Sequence, residues 1–125
     1  MDDKEFFRAV AERARLSRQE GADLTRATLE TLALRLSDGE ARDLALELPE
    51  PLRVSLKRER REMEIFGPDE SIRRVRARTG LSALEADRGV RAVLGTLQEV
   101  ISRKEFEHAM SQLGKEYAQL VEAAR

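Results

Sequence analysis

The feature that most constrains this chain is its own repetition. Sliding the sequence against itself by 65 positions gives an ungapped alignment running from Phe7 opposite Ile72 to Leu52 opposite Tyr117. The identities include Val10 with Val75, Leu16 with Leu81, Ser17 with Ser82, Glu20 with Glu85, Arg26 with Arg91, Leu29 with Leu94, Thr31 with Thr96, Leu32 with Leu97, Ser37 with Ser102, Glu40 with Glu105 and Leu48 with Leu113. Such density without gaps marks two copies of one structural unit, neither of which carries enough core to be secure alone. The expected organisation is a single domain over residues 1–125. Copy one covers about 3–56, copy two about 68–125, and a charged connector 57–67 joins them, the units packing face to face about a pseudo-two-fold axis.

The repeated positions say what the unit is made of. Ser17 with Glu20, Ser37 with Glu40, Ser82 with Glu85 and Ser102 with Glu105 all have the Ser-x-x-Glu spacing of a capping box. In that motif the serine hydroxyl accepts from an orphan backbone N–H while the glutamate reaches back to the cap residue. Each box precedes an apolar stripe at helical spacing: Leu29, Leu32, Leu36 and Leu94, Leu97, Ile101 after the first pair, Ala41, Leu44, Ala45, Leu48 and Phe106, Ala109, Met110, Leu113 after the second. A shorter helix carrying Phe7, Val10 and Ala14, or Ile72, Val75 and Thr79, precedes each first box, with Gly80 as a left-handed stop in copy two. A fourth helix follows Pro49 or Gly114; its stripe is clean through Tyr117, Leu120, Val121 and Ala124, whereas Ser55 interrupts it in copy one. Just after the connector, Pro68 suits a first helical turn, and Phe66 is placed to staple that helix to the body. The fold class is therefore all-α: a compact bundle of two tandem four-helix units.

Composition agrees and narrows the function. With 41% hydrophobic and 38% charged residues the chain has the make-up of a helix-rich soluble protein. Its 23 basic and 24 acidic residues leave no global field to draw in nucleic acid or an anionic membrane. There is no cysteine, hence no disulfide or thiolate chemistry. The acidic start and the want of a long apolar run point to a cytoplasmic protein that does not cross a membrane.

The run Phe7 to Arg13, then Arg26 to Ser37, then Gly39-Glu-Ala-Arg-Asp-Leu44 and Leu48-Pro49, resembles the prokaryotic domain-of-unknown-function family 2267. Arg91 to Leu97 and Leu113 to Tyr117 repeat it more loosely, with Gly114 where copy one has the proline. The resemblance implies an all-helical duplicated fold and carries over no catalytic or binding residue.

Few residues suggest chemistry. The sole histidine, His108, has Asp43 as its counterpart and reads as a solvent-facing position, so no metal, catalytic or cofactor-binding residue is expected, and no enzyme. The glutamates of the boxes are accounted for by capping. Arg26 and Arg91 recur on the central helices, where a guanidinium could hold an anion bidentately; a structural ion pair, with Glu30 for Arg26, is the simpler reading. Arg58, Arg60 and Arg61 in the connector, with Arg73, Arg74, Arg76 and Arg78 on the fifth helix, form a basic patch if the two segments meet. The reading that follows is a non-enzymatic interaction or scaffold module whose partner is protein, self or other. The alternatives are nucleic-acid binding through the arginine patch, which a solvated surface explains as well, and a small-molecule site in a cleft between the repeats.

Overall fold

The computed structural model describes residues 1–57 and 62–123. Within them the chain forms α1 (Asp3–Ala14), α2 (Arg18–Arg35), α3 (Asp38–Leu46), α4 (Glu50–Arg53), α5 (Pro68–Thr79), α6 (Ala83–Val100), α7 (Arg103–Leu113) and α8 (Lys115–Ala123). A short 3₁₀ turn, Val54–Leu56, follows α4, and there is no strand among the described residues. The fold is all-α. Matched helices begin at Asp3 and Pro68, Arg18 and Ala83, Asp38 and Arg103, Glu50 and Lys115, each pair 65 residues apart.

The starts and stops have local causes. Ser17 and Ser82 close complete capping boxes: each hydroxyl accepts from the Glu20 or Glu85 N–H, and each glutamate accepts from the serine N–H at 2.9 Å. Helix α1 stops at Arg15 and α5 at Gly80, both left-handed, at φ 58° and 75°. Glycine tolerates that conformation freely, whereas an L side chain is strained in it by roughly 1–2 kcal/mol. Pro68 occupies the first turn of α5, with Asp69 and Glu70 beside its N-terminal dipole.

Helices α2 and α6 cross at the centre, and the outer helices are shared. Helix α1 packs on both α2 and α6, and α5 packs on both α6 and α2. Two glycines allow the close approaches: a Cβ at Gly21 would stand 2.6 Å from the Phe7 carbonyl oxygen, and one at Gly89 would stand 2.3 Å from a Leu24 methyl. Phe6, Val10, Leu24, Leu29, Leu32, Val75, Val90 and Leu94 lie in one continuous core. Full burial of each such side chain contributes about 1.5–3 kcal/mol. Because α2 packs against α1, α5, α6 and the 3₁₀ turn, even Thr25, Thr28 and Thr31 are buried, and Thr25 and Thr31 return their hydroxyls to Gly21 and Ala27 carbonyls at 2.7 Å.

The halves differ at their ends. The fourth helix of the first half runs only from Glu50 to Arg53 before tightening into the 3₁₀ turn that contains Ser55, while α8 extends over nine residues. Arg53 holds the shorter version by donating to the carbonyls of Ala45 and Leu48.

The connector is held by one buried arginine. Arg35, at the end of α2, donates to the Phe66 carbonyl at 2.8 Å and to the Leu113 carbonyl at the end of α7, and lies over the Tyr117 ring. Tyr117 donates to the same Phe66 carbonyl at 3.1 Å and pairs with Ser71. Phe66 is thus tied to the body through its backbone carbonyl, with the Arg74 guanidinium 3.9 Å from its ring centre. No helix among the described residues is long and apolar enough to cross a membrane.

Candidate functional site at the α3–α7 contact

The second pair of serines starts its helices differently from the first. Ser37 and Ser102 accept from the N–H groups of Glu40 and Glu105 as N-caps should, yet neither glutamate reaches back to its serine. The expectation of four complete capping boxes is therefore corrected to two. The reason is that another residue has taken the position: the Ser37 N–H donates to Gln112 on α7 at 2.9 Å, and the Ser102 N–H donates to Glu47, just past α3, at 2.6 Å. The hydroxyls complete the exchange, Gln112 donating to Ser37 and Ser102 donating to Glu47. Each half caps the other.

Released from capping, Glu40 and Glu105 turn into the contact between α3 and α7 and meet there. Both side chains are buried, with residue exposures of 7% and 9%. Burial, then the hydrogen bond with Glu105, then the charges of Glu105 and Asp43 push the Glu40 carboxyl up to about 8. A hydrogen bond joins the two carboxyls. That single bond leaves Glu40 Oε1 and Glu105 Oε2 buried without a hydrogen-bond partner. His108, one turn after Glu105 and exposed, brings a ring nitrogen to the same place, so that one donor atom from each of Glu40, Glu105 and His108 lies within 4.8 Å of the others. The sequence reading placed His108 in solvent, where its outer side is, but missed that Glu105 and His108 share a helix face at i, i+3.

The other candidate residues are brought together less. Arg26 pairs with Asp23 at 3.7 Å, one turn back rather than with Glu30 one turn on, and stacks 5.0 Å from the Phe7 ring centre. Arg91 pairs with Asp87 at 3.1 Å on its own helix. Of the basic patch, Arg58, Arg60 and Arg61 lie outside the described residues. Arg73 pairs with Glu70, Arg74 with both Glu64 and Glu70, and Arg78 with Glu30. Arg76 is exposed. The described end of the connector does reach α5, where Glu64 pairs with Arg74.

Among the concavities of the described surface, two bear on binding. A cleft of about 640 Å³ between α1 and α6 is lined by Arg13, Arg88, Arg91 and Gly95, with Glu99 paired to Arg13 at its edge. A groove of about 770 Å³ runs between α3 and the 3₁₀ turn, floored by Ala41, Ala45 and Leu56 and flanked by Leu46 and Val54. Those last two are 65% and 64% exposed. In the second half the positions matching Ala41 and Ala45 are Phe106 and Met110, which with Ile101 and Arg103 line a separate concavity of about 680 Å³.

A family model described as an uncharacterized conserved protein, DUF2267, matches residues 3–120. The chain belongs to this family. No curated protein matches it. The match spans both halves, so the paired serines, the opposed glutamates and the small-residue groove of this DUF2267 chain all lie within the matched segment.

Proposed function

We propose that this DUF2267 protein is a non-enzymatic helical interaction module whose docking surface is the groove between α3 and the 3₁₀ turn. The observation that carries the reading is the exposure of Leu46 and Val54 beside a floor of small residues. An amphipathic helix laid in such a groove buries its apolar face against those side chains. Arg42, Arg53 and Lys57 stand on the rim against the single acid Asp38, so the fitting partner is a protein helix whose flanks are acidic.

The test is quantitative affinity purification from the native cell with the wild-type chain and a Leu46→Glu/Val54→Glu variant. The variant is expected to keep its melting temperature and to lose a partner whose cross-linked segment is an acidic amphipathic helix. An unchanged set of partners would overturn the reading.

One observation favours a second reading, a small anionic ligand in the α1–α6 cleft. Arg88 Nε is buried there without a hydrogen-bond partner, between Arg13 and Arg91. Arg88→Met and Arg91→Met should then abolish a phosphate- or carboxylate-induced rise in melting temperature while leaving the ligand-free value nearly unchanged. A pseudo-two-fold relation between the halves belongs to the same proposal. It is supported by the exchanged caps and by contacts between residues 65 apart: Leu24 with Gly89, and Glu40 with Glu105.

A further inference from the structure

We infer that Glu40, Glu105 and His108 form a binding site for a divalent first-row metal ion that bridges α3 of the first half and α7 of the second. Three separate observations converge on this. The donor atoms are already grouped, within 4.8 Å of one another. Ion bonds to carboxylate oxygen and imidazole nitrogen of about 2.0–2.2 Å place neighbouring donors in a tetrahedral shell roughly 3.4 Å apart. The needed contraction requires the exposed His108 side chain to turn inward.

The second observation is independent of the grouping. Glu40 and Glu105 are more than nine-tenths buried, yet Glu40 Oε1 and Glu105 Oε2 have no hydrogen-bond partner. Buried carboxylate oxygens are ordinarily satisfied, because removal from water without compensation costs several kcal/mol. A cation binding between the two carboxyls displaces the proton that Glu40 holds in the metal-free protein and gives the buried pair the partner it lacks.

The third is the donor chemistry. Two carboxylates with one imidazole make a mixed oxygen and nitrogen set, which suits zinc and its first-row neighbours better than magnesium or calcium, whose preference is for oxygen alone. Glu105 and His108 are held on one face of α7, and Asp43 stands one turn after Glu40 on α3, near enough for its charge to act on that carboxyl. The exposed side of His108 leaves the remaining coordination to solvent. Such an ion joins the halves at the point where each already caps the other. This inference does not depend on the groove or on the cleft.

The experiment is calorimetric titration of the full chain, stripped with chelator, with Zn²⁺ and separately with Mg²⁺. One Zn²⁺ per chain is expected, with affinity at least tenfold above that for Mg²⁺, and with a rise in melting temperature that chelator reverses. His108→Ala and Glu105→Gln should each weaken Zn²⁺ binding at least tenfold, whereas Glu85→Gln should leave it unchanged. In the Co²⁺-loaded protein, His108→Ala should shift the visible absorption bands. The inference fails if 1 mM Zn²⁺ gives no binding, or if the affinity survives His108→Ala unaltered. His108 is exposed, so its variant is expected to fold, and a metal-free melt matching the wild type verifies this; should Glu105→Gln not fold, the His108→Ala titration decides alone.

Discussion

At Ser17 and Ser82 the glutamate three residues on folds back onto its own helix start, while at Ser37 and Ser102 a side chain from the opposite half takes that place and the glutamate turns inward. The same four-residue spacing thus yields a local device in one pair and a contact between halves in the other. Electrostatics separates the pairs further. Hydrogen bonds from the Ser82 backbone and hydroxyl hold the Glu85 carboxyl below its ordinary value, whereas burial and a facing carboxyl raise that of Glu40. The difference teaches that a capping motif fixes where a helix begins, but the neighbour that arrives afterwards fixes what its glutamate does.

The sharpest way to break the comparison is to make the same double substitution in both pairs. Glu40→Met with Glu105→Met removes two buried, half-satisfied carboxyls. In chelator at pH 8 it should raise the free energy of unfolding by roughly 1–4 kcal/mol, as replacement of buried charged groups by well-packed apolar ones often does. Glu20→Met with Glu85→Met should lower it, by about 1 kcal/mol, because each loses a cap bond. Urea unfolding measures both; a loss of stability in the first double variant would erase the distinction.

The pH dependence should differ in sign as well. Folding holds the Glu40 proton, so the stability it contributes is complete below the ordinary value of 4.5 and is lost as pH rises toward about 8. The slope is at most about 1.4 kcal/mol per pH unit. Glu40→Gln should flatten that fall when the metal-free variant and wild type are unfolded side by side. For Glu85 the folded value is lowered, so its contribution is present above the ordinary value and is lost as pH falls.

A smaller effect tests the exchanged caps. Ser102→Ala and Glu47→Ala, combined in a double-mutant cycle, should show a coupling of about 1 kcal/mol. The pair Ser82→Ala and Glu47→Ala should show none. Smallest of all, Glu85→Gln retains an acceptor for the Ser82 N–H and should change stability by no more than about 0.5 kcal/mol near neutral pH.

Much of this was legible in the sequence, because the signals that place helices are local. The starts of α2, α3, α6 and α7 at their serines, of α5 at Pro68, and of α4 and α8 after Pro49 and Gly114, with the left-handed stop at Gly80, follow from caps, stripes and turn residues that need no distant partner. The fates of Glu40 and Glu105 were not legible. Capping explained those residues fully at short range, and only the approach of α7 to α3, antiparallel contact by contact, brings Gln112 and Glu47 to the serine N–H groups. The partner of Arg26 was not legible for a similar reason: Glu30 and Asp23 are both one turn away, and Glu30 pairs instead with Arg78, which α5 brings to it. Arg35 was missed because its counterpart is Val100, so the repeat gave it no emphasis, and its role depends on connector carbonyls that no pattern locates.

The sharing of α1 between α2 and α6 also bears on how the protein comes to be folded in a cell. The first half emerges from the ribosome with a surface meant for α6, and at synthesis rates of 5–20 residues per second it waits on the order of ten seconds for that helix. Phe7, Val10 and the α2 threonines meanwhile have no finished shelter. Folding is thereby deferred to the arrival of the second half, and the pieces made by cutting the connector should be unstable singly but regain helical structure when mixed.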